Sequence, residues 1–349
     1  MIAHERLSDV TATARALVAP GKGILAADES FPTIEKRLGA VDVLSTEEHR
    51  RTYRELLFTT PGIGEFLSGV ILFDETIRQR ATDGRLFPEV LAAQGIVPGI
   101  KVDAGTKPMP DSPDEKVTEG LDGLAGRLAE YRKLGARFAK WRAVITIDGD
   151  RLPTGACLKE NARRLADYAA VCQTAGFVPI VEPEVLMEGN HSLARCAEVT
   201  AETLRQVFAA LAARGVALEG MLLKPNMVLA GRGAAAQPSP REVADATLRV
   251  LAGAVPHEVP GIVFLSGGQG AVEATVRLNE MNKLGPHPWI LSFSYGRALE
   301  DSVLEAWRGK PENVRAAQQV FYHRARMNGL ACLGRYTPEL EAAGSELPR

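Results

Sequence analysis

Short apolar runs alternate with stretches of helical period along this chain. Runs of strand length occupy 23–27, 69–73, 99–102, 138–147, 177–185, 220–224, 261–266 and 289–294. Between the fifth and sixth, Leu193, Cys196, Ala197, Thr200, Leu204, Val207, Phe208 and Leu211 recur at three- and four-residue spacing, and Gly215 supplies the stop. Leu121, Leu124, Ala125, Leu128 and Tyr131 form a similar face ahead of Gly135. Leu7, Val10, Ala14, Leu17 and Val18 mark an N-terminal helix over about 5–19. Strands that alternate with helices pair in parallel through crossovers, and eight such units most simply close into an α/β fold of the (β/α)8 TIM barrel type. The expectation is a single domain over 1–349 with a polar tail over about 336–349 and a mobile small-residue loop over 231–240. An open doubly wound sheet is the competing architecture. It calls for a Gly-x-Gly-x-x-Gly turn after the first strand, where this chain has Ala26-Ala27-Asp28-Glu29-Ser30.

In a barrel of this kind chemistry gathers at the C-terminal ends of the strands, so the polar residues there carry the information. They are Asp28 on the first strand, Lys101 on the third, Lys140 and Arg142 on the fourth, Glu182 and Glu184 on the fifth, and Lys224 on the sixth. The seventh strand ends in Ser266-Gly267-Gly268 and the eighth in Ser294-Tyr295-Gly296-Arg297. Strand side chains alternate between faces, so Lys140 and Arg142 share one direction, as do Glu182 and Glu184. A lone strand-end lysine is explained by a stem lying on the sheet with its head in water. Several charges on otherwise apolar strands are not, because each buried charge costs several kcal/mol unless paired. Burial favours the neutral amine of a lysine, and a neutral amine can attack a carbonyl to give a Schiff base.

Counting Arg37, Lys101, Lys140, Arg142, Lys224 and Arg297 against Asp28, Glu182 and Glu184 leaves a local excess of three positive charges. Such an excess suits a phosphorylated substrate. Ser266-Gly267-Gly268-Gln269-Gly270 precedes one predicted helix and Gly296-Arg297 opens another, and backbone amides at such starts can cradle phosphate. A glycine-rich turn alone is equally a tight connection; its place after the last two strands is what gives it weight.

Composition narrows the partners. Apolar residues make up 46% and charged residues 24%, with a formal net charge of −2, which gives no electrostatic reason to expect nucleic acid or an anionic membrane. Glu5, Arg6, Asp9 and Arg15 interrupt the N-terminal apolar positions, unlike a secretion signal, and no run is long enough to span a bilayer. The cysteines, Cys157, Cys172, Cys196 and Cys332, show neither zinc spacing nor the density of a disulfide scaffold, and a cytoplasmic protein is expected. His4, His49, His191, His257, His287 and His323 are scattered without a ligating pair, so no metal and no other cofactor is expected. The electrophile would then be a protonated imine at Lys224.

These stretches together resemble the class I fructose-1,6-bisphosphate aldolases. The resemblance is carried by Gly21-Lys22-Gly23-Ile24-Leu25-Ala26-Ala27-Asp28-Glu29-Ser30, Gly99-Ile100-Lys101-Val102-Asp103 and Phe138-Ala139-Lys140-Trp141-Arg142. It continues through Val181-Glu182-Pro183-Glu184, Leu222-Leu223-Lys224-Pro225-Asn226, Phe264-Leu265-Ser266-Gly267-Gly268-Gln269 and Phe293-Ser294-Tyr295-Gly296-Arg297. It implies a glycolytic and gluconeogenic lyase, a homo-oligomer (dimer or tetramer), that reversibly cleaves fructose 1,6-bisphosphate to dihydroxyacetone phosphate and glyceraldehyde 3-phosphate. By the same resemblance Lys224 forms the imine, Glu182 shuttles protons, Asp28 contacts the C4 hydroxyl, Lys140 stabilises the carbinolamine and Glu184 holds Lys224. Ser266, Gly267, Gly268, Ser294, Gly296 and Arg297 match the 1-phosphate site, and Thr33, Arg37, Lys101 and Arg142 match positions near the 6-phosphate.

Two features depart from the family pattern. Its well-studied members end in a tyrosine that helps move the proton at C3, whereas this sequence ends Leu347-Pro348-Arg349, which leaves that proton and the preference between bisphosphate and 1-phosphate unassigned. Phe31-Pro32 stands where small residues are usual and is expected to reshape the 6-phosphate side. Alternative readings are another imine-forming phosphosugar aldolase, a metal-dependent aldolase, or a non-catalytic phosphosugar-binding scaffold; the last would lack one of Asp28, Lys140, Glu182 and Lys224, and all are present.

Overall fold

Each of the eight apolar runs contributes one strand to a closed parallel barrel. A computed structural model of the chain describes residues 2–344, 347 and 348, with side chains from residue 7 onward. The barrel strands are β1 (Gly23–Ala27), β2 (Leu67–Leu72), β3 (Val97–Lys101), β6 (Phe138–Ile145), β7 (Val178–Val185), β8 (Leu222–Leu223), β9 (Gly261–Phe264) and β10 (Ile290–Tyr295). A hairpin of β4 (Thr106–Met109) and β5 (Ser112–Thr118) leaves the barrel between β3 and β6. Strand order around the barrel is β1-β10-β9-β8-β7-β6-β3-β2, every pair parallel.

Helices fill the crossovers, as parallel pairing requires. They are α1 (Ile2–Leu17), α2 (Phe31–Gly39), α3 (Glu47–Phe58), α4 (Asp74–Arg78), α5 (Phe87–Ala92), α6 (Leu124–Lys133) and α7 (Gly155–Thr174). The second half adds α8 (Leu193–Ala213), α9 (Pro240–Ala254), α10 (Ala271–Lys283), α11 (Arg297–Trp307), α12 (Val314–Cys332) and α13 (Pro338–Ala343). Their starts follow capping chemistry: Thr154, Ser192 and Ser239 each accept a backbone N–H three residues on. The face expected on α8 is the one that is buried, through Cys196, Thr200, Leu204, Val207, Phe208 and Leu211.

Two local departures from the sequence reading have clear causes. The β4–β5 hairpin, built largely from polar residues, is not among the eight apolar runs; it is held because the buried Glu115 accepts the Thr154 N–H at 2.7 Å and its hydroxyl at 2.6 Å. The expected tail contains α13, which Glu341 ties to Arg324 at 2.5 Å and to His323 at 3.2 Å. Residues 345, 346 and 349 of that tail, and Met1, lie outside the described residues.

The period of two selects the inward-facing residues, and along the strands these change from an apolar floor to a charged upper layer. Ile24, Ala26, Ile71, Phe138, Val178, Ile180, Leu222 and Val263 form the floor, and Val10, Ala14, Leu17 and Val18 from α1 and the turn after it pack beneath them. One or two positions farther along the same inward faces stand Asp28, Lys140, Arg142, Glu182, Glu184 and Lys224. Glycines make room for the largest floor residue: a Cβ on Gly99 would lie 2.3 Å from the Phe138 ring, and one on Gly69 would lie 3.1 Å from it.

That contact generates a stability prediction. Gly99→Ala forces a methyl into the Phe138 ring and should cost about 1–3 kcal/mol, read as a lower thermal midpoint. Phe138→Leu alone leaves a cavity and also destabilises. Combined, the two should cost less than their sum because the smaller side chain yields the space; strict additivity would contradict the packing account.

Candidate active site

The floor ends where the strands begin to carry charge. Asp28, Lys140, Glu182, Glu184 and Lys224 are only 8%, 4%, 4%, 6% and 3% exposed, so each must be compensated inside the protein. Lys140 does most of this. Its Nζ lies 2.7 Å from Asp28 Oδ2, 3.5 Å from Glu182 Oε2 and 3.9 Å from Asp103 Oδ2. Lys224 Nζ lies 3.3 Å from Glu182 Oε1, so Glu182 stands between the two lysines.

The register explains this convergence. Lys101 pairs across the ladder with Lys140, Lys140 with Ile180, and Arg142 with Glu182, which sets the four side chains at neighbouring heights on one wall. Lys224 sits one residue beyond β8, whose ladder is shorter than the sequence suggests; its N–H still donates to Val181 O at 2.8 Å. Pro225 then ends the pairing, and Asn226 fixes the turn by accepting the Val185 N–H at 3.0 Å and donating to Thr200 Oγ1 at 3.2 Å.

Electrostatics follow the geometry. Burial pushes the Asp28 carboxyl up, but the charges of Lys140 and Lys224 outweigh burial and hold it below the usual carboxylate range. Burial depresses Lys140, yet Asp28, Glu182 and Asp103 outweigh it and hold its ammonium protonated well above the ordinary lysine value. Asp28 is thus an ionised base beside a permanent cation.

The cations expected near a 6-phosphate are differently placed. Lys101 Nζ is bound to Asp103 Oδ1 at 2.6 Å, and Arg142 Nε is bound to Glu184. Arg37 is bound to Glu29 and, at 2.6 Å, to Glu300. Thr33 is exposed in the first turn of α2, its hydroxyl 3.3 Å from Ser30 Oγ. Phe31 sets the edge of this side, its ring against Phe73 at 5.3 Å and under the Arg50 guanidinium at 4.9 Å. Asp103, Glu29 and Glu300 were absent from the sequence count of charge, so the excess of three positive charges does not describe this wall. Burial and the neighbouring Glu29 push Glu300 well up, while Glu29 is held far down by Arg54 and Arg37 against its own burial. Arg54, 2% exposed, completes that group from α3.

The turns after β9 and β10 form the opposite wall. Gly267 and Gly268 take φ of +58° and +86°, and Gln269 closes the turn by donating its N–H and side-chain amide to Ser266 O at 3.0 and 2.9 Å. Ser294 Oγ is buried with no hydrogen-bond partner among the described residues. Gly296 lets the chain pass the β1 backbone, since a Cβ there would lie 3.0 Å from Ala26 O, and Arg297 then opens α11. Arg297 is exposed and makes no ion pair among the described residues. Among the described residues no group of three or more His, Cys, Asp or Glu side chains is placed to hold a metal ion.

Known proteins resemble the chain over nearly its whole length. A family model described as fructose-bisphosphate aldolase class-I matches residues 9–347. The chain is 54% identical over 331 residues to a probable fructose-bisphosphate aldolase class 1 of Xanthomonas campestris, covering 95% of this chain and 99% of that one. It is 52% identical over 336 residues to fructose-bisphosphate aldolase 1 of Toxoplasma gondii, covering 96% and 93%. A solved structure of fructose-bisphosphate aldolase from Plasmodium falciparum, in complex with TRAP and a small-molecule inhibitor, superposes with a TM-score of 0.94 at 51% identity, covering 95% of this chain and 96% of that one.

The ion cluster predicts a pH dependence. With Asp28 depressed in the folded state, its contribution to stability is present above about pH 4 and is lost as pH falls through the folded value. Lys140→Met removes the main partner, so the Asp28 carboxyl should rise and acid unfolding, followed by circular dichroism, should begin at higher pH. Adding Asp28→Asn should pull that onset back toward wild type. An acid limb unmoved by Lys140→Met would contradict the pairing.

Proposed function

Because the chain belongs to the class I fructose-bisphosphate aldolase family, we propose that Lys224 is the amine that forms the imine with the substrate ketone. The activity is the glycolytic one of the family, reversible cleavage of fructose 1,6-bisphosphate into dihydroxyacetone phosphate and glyceraldehyde 3-phosphate, catalysed by a lyase on a TIM barrel. The observation that carries the residue roles is the line Lys224, Glu182, Lys140, Asp28, with separations of 3.3, 3.5 and 2.7 Å.

In the proposed reaction the neutral Lys224 amine attacks C2. Glu182, within reach of that nitrogen, takes the proton the amine sheds and returns one to the carbinolamine hydroxyl, which leaves as water. Asp28, held ionised by Lys140, accepts the C4 hydroxyl proton as the C3–C4 bond breaks. The bonding electrons pass into the protonated imine, giving an enamine and free glyceraldehyde 3-phosphate. Protonation at C3 and hydrolysis release dihydroxyacetone phosphate and regenerate the amine. The protonated imine supplies the electron sink, so the proposed steps need no metal and no other cofactor. Glu184 acts through Arg142, its ion-pair partner, while Glu182 is the carboxylate within ion-pair reach of Lys224 among the described residues.

Ser266, Gly267, Gly268, Ser294, Gly296 and Arg297 bind the 1-phosphate in this reading, supported by the unpartnered Ser294 hydroxyl, the left-handed glycine turn and the unpaired Arg297. Thr33, Arg37, Lys101 and Arg142 border the 6-phosphate, where each cation would exchange or share a carboxylate partner on binding. We place the enzyme in the cytosol, as a homo-oligomer of one domain per chain, on the family resemblance and the free cysteines.

Lys224→Arg keeps a cation but cannot form the imine, so kcat for the bisphosphate should fall by about four orders of magnitude or more with the fold intact by circular dichroism. Turnover within tenfold of wild type would overturn the assignment.

A further inference from the structure

The 1-phosphate turn has a second guanidinium beside it, contributed by a residue that the family's motifs did not mark. We propose that Arg232 is a phosphate-binding residue that, with Arg297, encloses a phosphomonoester dianion at the Gly267-Gly268 turn. The proposal rests on the reading of that turn as the 1-phosphate site.

Gly268 is the point both arginines reach. A Cβ on it would lie 2.5 Å from Arg232 Nη2 and 3.3 Å from Nη1 and from Nη2 of Arg297, so the two guanidiniums flank one glycine from the loops after β8 and β10. Arg232 Nη2 donates to Gly268 O at 3.0 Å and approaches Met187 Sδ at 3.9 Å; its Nε and Nη1 have no acceptor among the described residues. Neither arginine makes an ion pair among the described residues. The nearby carboxylates are already committed or out of reach: Glu184 is bound to Arg142, and Asp301, one turn along α11, senses Arg297 and Arg37 without closing an ion pair.

Two unpaired like charges on one turn repel unless an anion lies between them. Guanidinium donors aimed from two sides match the oxygens of a dianionic phosphate, to which charge-assisted hydrogen bonds are the strongest available. The backbone of Arg232 is held for this purpose. Gly231, Arg232 and Gly233 donate their N–H groups to His191 O, Met187 O and Gly189 O at 2.8, 2.7 and 2.8 Å, and Gln237 Nε2 donates to Gly231 O at 2.9 Å. Only glycine fits at 231, where a Cβ would lie 2.5 Å from Gly189 O. The start of the small-residue run is therefore a braced platform that delivers one arginine.

The test uses the condensation direction, in which each substrate carries a single phosphate. Arg232→Gln removes the charge and, being shorter, also the contact to Gly268 O, so Arg232→Lys, which keeps a cation, and the substrate-selective readout separate loss of charge from loss of the loop tether. The KM for dihydroxyacetone phosphate should rise at least about fivefold, the order expected for one partly exposed charge-assisted hydrogen bond. The KM for glyceraldehyde 3-phosphate and kcat should stay within about twofold of wild type, and Arg232→Lys should recover part of the loss. An unchanged KM for dihydroxyacetone phosphate, or equal rises for both substrates, would overturn the proposal. Arg297→Ala is the control for the underlying reading: if it too leaves the KM for dihydroxyacetone phosphate unchanged, the turn is not the 1-phosphate site, whereas a rise with Arg297→Ala alone rejects only the role of Arg232.

Discussion

Two lysines buried within one barrel constrain everything around them. Lys140 and Lys224 are 4% and 3% exposed, and neither could stay there without carboxylates on adjacent inward faces. Glu182 serves both, which obliges β6, β7 and β8 to hold a register that brings Lys140, Glu182 and Lys224 to neighbouring heights. Asp28 reaches the same cluster from β1, on the far side of β2 and β3, and so depends on closure of the barrel. The apolar floor of Phe138, Ile180 and Leu222 keeps water from the N-terminal side, and the glycines opposite Phe138 exist to admit that ring. Charge above and oil below are two halves of one solution, since the same inward faces carry both at successive heights.

The upper layer is not uniform. On the wall that faces the 6-phosphate in our reading, Lys101, Arg37 and Arg142 already have carboxylate partners, and the Glu29, Arg54 and Glu300 group behind Arg37 is almost wholly buried. On the opposite wall Arg297 and Arg232 have none among the described residues. In our reading an incoming phosphate meets guanidiniums without ion-pair partners and a Ser294 hydroxyl without a hydrogen-bond partner, among the described residues, at one end, and at the other must compete for cations already in use. This asymmetry favours anchoring the substrate first by its 1-phosphate, the end nearest the carbonyl that becomes the imine.

Much of this could be read from the chain because period and chemistry coincide. Eight apolar runs separated by helical stretches gave the strand count, and parity within 138–145 and 178–185 put Lys140 with Arg142 and Glu182 with Glu184. What escaped has physical causes. The group around Arg37 draws on residues far apart in sequence, Glu300 on α11 and Arg54 on α3, which shares the carboxylates of Glu29 and Glu300 with Arg37, and no local pattern joins them. Asp103 looked like the residue after a strand, and only the ladder shows it bridging Lys101 and Lys140. The β4–β5 hairpin carries no apolar run because its stability lies in the buried Glu115 and its bonds to Thr154, which composition does not reveal. Arg232 lay in a run of small residues whose backbone bonding to 187–191 is visible only in three dimensions.

The central claim is that the amine at the end of β8 forms the covalent bond to substrate. Borohydride reduction in the presence of dihydroxyacetone phosphate and a chelator, followed by peptide mass mapping, tests it directly. The account predicts a reduced three-carbon phosphate adduct on the peptide containing Lys224 and on no other. An adduct on Lys140 instead, or none while the folded protein binds the ligand, would contradict it.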